Sequence, residues 1–397
     1  MVPNDWTKLP VGSIAKVTSG GTPSRKIDSY WNGNIPWVTT SEVKFGVIAD
    51  TEQKITKQGL DNSSAKLFPK DTILMAMYGQ GKTRGQVAKL GIEASTNQAC
   101  AALLLNKEHD VEYYYQYLIS QYDNIRELAN SGGQQNLSAG IIKDISVPVP
   151  PLPEQRKIAQ ILSTWDRGIA TTEKLIDASK QQKKALMQQL LTGKKRLVDP
   201  ETGKAFEGEW EEVSLSKWLI EYKEKSSIQD QHRVFTSSKS GLVPQDEYFG
   251  NSRIADRKNI GFHVLPPNHM TYRSRSDDGF FTFNLFKRCE NGIISHYYPV
   301  FSSKGTNDFF IALLEQYRGI FGKHSVGTSQ KVLSFNALKS IKFRIPEKDE
   351  QQKIASVLNA ADKEIDLLKA KLAHFKQEKK ALMQQLLTGK RRVSLSS

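Results

Sequence analysis

Lys82, Thr83, Arg84 and Gln86 sit in the run Gly79-Gln80-Gly81-Lys82-Thr83-Arg84-Gly85-Gln86, the stretch of this chain most suggestive of chemistry. Gly81-Lys82-Thr83 matches the end of the phosphate-cradling pattern GxxxxGK(S/T). The opening glycine of that pattern falls at Ala76, and no strong Walker-B-like strand accompanies it, so nucleotide hydrolysis is not expected here. A loop that faces nucleic acid suits the residues better. Glycines let a backbone approach closely. Lys82 and Arg84 can meet phosphates or guanine, and Gln86 can read adenine.

Loops of the same polar, basic and glycine-rich kind recur along the chain. In the first half they are Ser19 to Lys26, with Thr22, Ser24 and Arg25; Ala94 to Gln98, with Asn97; and Ser131 to Ser138, with Gln134 and Gln135. In the second half they carry Ser238 and Lys239, Arg273 and Arg275, Lys304 and Asn307, and Gln330 and Lys331. Arg273 and Arg275 occupy alternate positions, so on a strand both face one side. That suits an edge presented to DNA and equally a charged edge that protects a sheet from aggregation.

The elements that must position these loops are set by a repeat. Lys183 to Lys194 (Lys-Lys-Ala-Leu-Met-Gln-Gln-Leu-Leu-Thr-Gly-Lys) returns letter for letter as Lys379 to Lys390, 196 positions on. The same offset pairs Glu154-Gln155 with Glu350-Gln351, Leu162 with Leu358, Asp166 with Asp362, and Leu137-Ser138 with Leu333-Ser334. A period this long marks two similar halves rather than a solenoid. Ile158, Leu162, Trp165, Ile169, Thr172, Ile176, Ser179, Lys183, Leu186 and Leu190 step by four and three alternately, as do their counterparts from Ile354 to Leu386. That is an a/d seam sustained over several heptads, and it predicts two long helices packed on each other. Gly193 and Gly389 supply the stop signals. From Pro153 to about Lys194 such a helix would run roughly 60 Å.

The remaining segments are read locally. Leu9 to Val17, Ile35 to Val38 and Ile141 to Val149 are expected as strands. Asn32-Gly33 is expected as a tight turn, and Val111 to Leu128 as one helix. The resulting division is 1–152 as a first mixed domain, 153–195 as the first long helix, 196–209 as a linker, 210–346 as a second mixed domain, 347–391 as the second long helix and 392–397 as a tail. The fold class is α+β with a pseudo-twofold internal repeat, the two mixed domains held apart by the antiparallel helices.

At 397 residues there is chain for two or three cores. Two cysteines, Cys100 and Cys289, leave no disulfide framework or cysteine zinc site, and the seven histidines lack ligand spacing. No apolar run could span a bilayer and Met1 to Trp6 lacks a basic-then-apolar leader. No membrane partner is therefore expected, and the cytoplasm is the expected location. A formal charge of +14 and pI near 9.4 favour an acidic partner, most often nucleic acid.

These residues together resemble the specificity subunits of type I restriction-modification systems, over essentially the whole chain. The resemblance rests on Gly21-Thr22-Pro23-Ser24, Ile35-Pro36-Trp37, Gly81-Lys82-Thr83-Arg84-Gly85, Thr96-Asn97-Gln98-Ala99-Cys100 and Gln134-Gln135-Asn136-Leu137-Ser138. The Pro151-Leu152-Pro153-Glu154-Gln155 entry and Leu190-Leu191-Thr192-Gly193 exit of the long helix also carry it. It implies two target-recognition domains held apart by an antiparallel coiled coil, each reading one part of a split double-stranded DNA target. It also implies two modification (methyltransferase) subunits, which bring S-adenosylmethionine, and two restriction subunits, which use ATP and Mg2+. The repeated helices, at Leu186, Leu190, Leu382 and Leu386, are the expected docking points for two copies of one partner. Catalysis is expected on the other chains and no cofactor on this one. No (N/D)PP(Y/F/W) motif is present; Pro150-Pro151-Leu152 and Pro266-Pro267-Asn268 do not qualify. Lys331-Val332 stands where the first half has Gln135-Asn136, so equivalent loops need not make equivalent contacts.

The competing readings are a nucleotide-using enzyme built on Gly81-Lys82-Thr83 and a coiled-coil scaffold whose domains bind protein. If the helices set the gap in a split target, lengthening both by one whole turn should lengthen the selected gap by about 5.4 Å of DNA. Selection from random duplexes checks this, and an unchanged gap would show that the helices are not the ruler.

Overall fold

The alternating three-and-four spacing forms the helices Leu152–Leu190 and Lys348–Leu386, each of 39 residues, in a computed structural model of the chain. The structure describes residues 3–79, 82–128, 136–199, 201–238, 241–250 and 258–395. Every predicted seam position is buried or half-buried, while the residues between are mostly exposed. Pro153 falls in the first turn, where its missing N–H costs nothing. Past the helix ends, Gly193 (φ +70°) and Gly389 (φ +72°) take the left-handed conformation that glycine adopts without strain.

The chain forms two units: Met1–Glu173 with Ala370–Ser397, and Lys174–Lys369. Each contains a mixed domain and parts of both long helices, so the units cut the helices where the sequence division keeps them whole. In the first unit the helix segments run antiparallel, with Lys379 Nζ 2.6 Å from Asp166 and Lys376 Nζ 2.7 Å from Glu173. Trp165 meets Phe375 edge-on between them. In the second unit Lys183 reaches Asp362 at 2.5 Å. Lysines at a/d positions cost stability and fix register, because only one alignment gives each its carboxylate.

Each unit is locked by a buried glutamate at the start of a long helix. In the first, Glu154 accepts hydrogen bonds from Trp6 Nε1 at 3.0 Å and from Arg392 Nε and Nη2 at 2.7 and 2.8 Å. In the second, Glu350 accepts from Trp210 Nε1 at 3.0 Å and from Arg196 Nε and Nη2 at 2.6 and 2.7 Å. Beside them, Gln155 and Gln351 repeat one another: each donates to a proline carbonyl, Pro150 or Pro346, and accepts the backbone N–H of Asp110 or Thr306. The expected linker is therefore tied down: Arg196 is in the clamp, and Val198 pairs with Ala205.

In the first unit, the strands Ala15–Ser19, Cys100–Leu105, Ile73–Ala76, Val87–Leu90 and Val47–Ile48 form one sheet in that order. Period-two alternation serves both faces. Ile73, Met75, Ala101 and Leu103 pack toward Tyr113, Tyr114 and Leu118 of the helix Val111–Ser120 and Ile158 and Leu162 of the long helix. Leu74, Ala76, Cys100 and Ala102 pack toward Val38, Phe68 and Ala94 of a second, four-stranded sheet. The second unit has two four-stranded sheets and a core rich in phenylalanine, including Phe301, Phe309, Phe310 and Phe321.

Several local expectations are corrected. Val111 to Leu128 is two helices, Val111–Ser120 and Tyr122–Leu128, broken at Gln121. Val11–Ile14 is a helical turn between the strands Thr7–Pro10 and Ala15–Ser19. Ile141 belongs to the helix Ala139–Asp144, because Ser138 Oγ caps it by accepting the Ile141 N–H. Asn32-Gly33 lies inside the strand Trp31–Val38 as an irregularity, with Asn32 at φ +59°. A Cβ on Gly33 would come within 2.5 Å of the Ile55 carbonyl oxygen, so the glycine serves close strand approach.

Replacing Arg196 by Ala would leave the Glu350 carboxylate, 3% exposed, with only the tryptophan donor among the described residues. The expected cost to the second unit is about 3 kcal/mol, read as a lower urea midpoint. Arg196→Lys should recover only part, since lysine keeps the charge and loses the fork.

Candidate nucleic-acid interface

Strand direction gathers the polar loops of the first unit. Ser19 pairs with Ala101, Cys100 with Ala76, and Met75 with Val87. The loops that leave Ser19, join Ala76 to Val87, and enter Cys100 therefore emerge at one end of the five-stranded sheet. Thr22, Ser24, Arg25, Lys82, Thr83, Arg84, Gln86 and Asn97 all belong to this end. Short polar contacts hold the loops in place. Gly21 N–H donates to Thr96 O at 2.9 Å, Trp37 Nε1 donates to Gly21 O at 3.0 Å, and Thr22 Oγ1 donates to Gln98 Oε1 at 2.5 Å. Arg25 is exposed and lies 3.6 Å over the Trp31 ring, whose Nε1 donates to Ser24 O at 3.1 Å.

On the neighbouring loop, Gln86 N–H returns to Thr83 O at 3.0 Å, and Tyr122 OH donates to the Lys82 carbonyl. Phe45, 38% exposed, meets Tyr122 edge-on. Lys82 is exposed; Thr83, Arg84 and Gln86 are half-buried. Burial pushes the Cys100 thiol up to about 12, so it is no nucleophile at neutral pH.

In the second unit the strands Met270–Tyr272 and Phe283–Leu285 pair, and the connection between them carries Arg273 and Arg275. Both arginines are exposed and line two open clefts of about 740 and 350 Å³. Ser238 lines the first and Gln330 the second. Lys331 sits beside them, paired with Ser276 in a short two-stranded ladder. Arg275 lies 4.5 Å over the ring of Tyr297, 48% exposed. Acidic groups share the larger cleft: Asp277 accepts from Gln330 Nε2 at 3.2 Å, and Asp278 from Ser276 Oγ at 2.7 Å. The surface is thus one of mixed hydrogen-bonding character with a cationic excess.

Other predicted residues lie elsewhere. Lys304 is exposed at the turn before the helix Asn307–Gln316 and lines neither cleft. Asn307 is occupied structurally: its Oδ1 accepts from Ser303 N and Oγ at 2.7 Å each, and its Nδ2 donates to Asn268 O at 2.6 Å. Gln134, Gln135 and Lys239 lie outside the described residues. The docking leucines are corrected. Leu190 and Leu386 are 0% and 3% exposed inside the two cores, with Leu186 and Leu382 packed against them, because a seam position turns inward. The repeated helices instead expose Lys184, Gln188 and Gln189, and Lys380, Gln384 and Gln385. Sequence reading missed Arg318 and Phe280 of the larger cleft. Their only signals are an arginine just past a helix end and an aromatic residue after the polar run ending at Gly279.

The family described as type I restriction modification DNA specificity domain matches residues 3–181 and again 202–377. The MjaVIII type I restriction enzyme specificity subunit of Methanocaldococcus jannaschii is 26% identical over 428 residues, covering 99% of this chain and 94% of that protein. The EcoR124I/EcoR124II specificity subunit of Escherichia coli is 29% identical over 168 residues, 41% of each protein. Among solved structures, the type I restriction-modification S subunit from M. genitalium matches with a TM-score of 0.58 at 16% identity, over 100% of this chain and 99% of that one. The HsdS subunit from Thermoanaerobacter tengcongensis matches with a TM-score of 0.51 at 15% identity, over 98% of each. At these identities the structures show a shared fold.

The seating of the Thr22–Arg25 loop depends on Gly20, where a Cβ would stand 1.9 Å from the Thr96 carbonyl oxygen. Gly20→Ala should lift this loop and speed native-state tryptic cleavage at Arg25 and Lys26 by about tenfold, the factor for a destabilisation near 1.4 kcal/mol. Cleavage at the wild-type rate would show that the loop is seated by other contacts.

Proposed function

The chain belongs to the type I restriction-modification DNA specificity family, and from that premise we propose that it is a specificity subunit reading a two-part DNA target. Each domain reads one half-site, and the long helices set the gap. The observation that carries this is the double family match on one chain, with different residues presented in each copy. Thr22, Ser24, Arg25, Lys82, Thr83, Arg84, Gln86 and Asn97 serve one half-site. Ser238, Arg273, Arg275, Gln330 and Lys331 serve the other. Exposed arginines beside aromatic rings and polar donors are what base-edge and phosphate recognition requires.

The chain directs chemistry that other subunits perform. Two modification subunits supply S-adenosylmethionine-dependent methylation, and two restriction subunits supply ATP- and Mg2+-dependent cleavage. The two identical outward faces, Lys184 with Gln188-Gln189 and Lys380 with Gln384-Gln385, suit two copies of one partner. A protein-binding scaffold is the alternative, and salt dependence separates the two: phosphate contacts make affinity fall steeply with salt.

The test is selection of bound sequences from random duplex DNA, using the full chain co-expressed with its modification subunit. The expected result is a two-part motif with a fixed gap. Exchanging residues up to about Leu152 for those of a relative should change one half of that motif and leave the other alone. Loss of both halves would refute modular reading.

A further inference from the structure

A polar chain, half-buried along most of its length and fully buried at Gln116, runs through the first unit from the helix seam toward the loop at Lys82–Gln86. Lys379 Nζ lies 2.6 Å from Asp166 Oδ1. The other oxygen of Asp166 accepts from Gln116 Nε2 at 2.7 Å. The same Nε2 donates its second hydrogen to Glu112 Oε1 at 2.9 Å. Glu112 Oε2 in turn holds Lys89 Nζ at 2.5 Å. Lys89 belongs to the strand Val87–Leu90, which the loop enters directly after Gln86. Gln116 is 0% exposed, and its Oε1 is buried with no partner among the described residues. A buried orphan acceptor is unfavourable and calls for a reason.

The second copy provides the internal control. At the 196-residue offset the seam pair is kept, Lys183 to Asp362 at 2.5 Å, but Gln116 is replaced by Ala312. The position of Glu112 is taken by Asp308, whose described ion pair is with Lys287 at 3.3 Å. The repeat folds without the glutamine, so packing alone does not demand it. We infer that Gln116 is a positioning residue that fixes the angle at which the first recognition domain meets its own long-helix segments, and so sharpens discrimination of the gap between half-sites. The inference rests on the two-part reading proposed above. Apolar packing is non-directional. A glutamine bridging two carboxylates, each also held by a lysine, admits one geometry. It links the strand that carries a reading loop to the helix seam.

The experiment measures binding of the full chain, co-expressed with its modification subunit, to the selected duplex and to duplexes with the gap one base pair longer or shorter. Gln116→Ala should fold, as Ala312 does in its setting, and keep its base preferences. Its discrimination between correct and altered gaps should fall about tenfold, the factor for one hydrogen bond to a charged group. Lys89→Gln, which cuts the chain at its far end, should act in the same direction and answers the question if Gln116→Ala is poorly folded. Unchanged gap discrimination in a folded variant, or an equal loss at all gaps, overturns the inference and leaves the two-part reading intact. A wild-type protein that selects no two-part motif overturns that reading and the inference with it.

Discussion

Glu154 and Glu350 are the constraint on which the rest depends. A carboxylate out of water is unfavourable unless its oxygens are filled, and here each is filled by an indole N–H and a guanidinium fork. The tryptophan comes from the strand entry of the local domain. The arginine comes from just past the end of the other long helix. One buried group thus ties together a domain, a helix start and a helix end. The planar fork gives this junction direction as well as attraction, and the sheets and loops are built outward from it.

The long helices were legible because their pattern is periodic and repeated. A seam of ten positions survives local exceptions, and the lysines within it still read as seam because everything around them does. The same pattern misled about the leucines. Spacing says that Leu190 and Leu386 face something, and without coordinates an outside partner and the chain's own core look alike. Burial settles this in favour of the cores.

The recognition loops were legible by composition, and strand pairing supplied what composition lacks: which loops share an end. Thr22 and Asn97 are 75 positions apart in sequence, yet strand partners bring their loops together. Asn307 shows the limit. A polar residue in a polar loop looks like a reader, and only its hydrogen bonds reveal a structural role. The likeness of the two domains also runs deeper than letters. Tyr113-Tyr114 and Phe309-Phe310 differ in sequence, but occupy matching helix positions and are all buried. Burial constrains size and shape more tightly than identity.

The discontinuity of the first unit bears on the order in which the protein is made. Residues up to Glu173 emerge early, but Arg392, Met383, Leu386 and Leu387 belong to the same unit and arrive only after the whole second unit has been synthesised. Domains otherwise fold in order of emergence from the N-terminus. Here the first to be translated is the last to be completed. Until then the nascent chain carries a buried-to-be glutamate without its arginine and an apolar helix face without its cover. The second unit, drawn from one continuous stretch, has all of its residues once Lys369 is made, so the finished clamp on Glu154 is a marker that synthesis has run through residue 392.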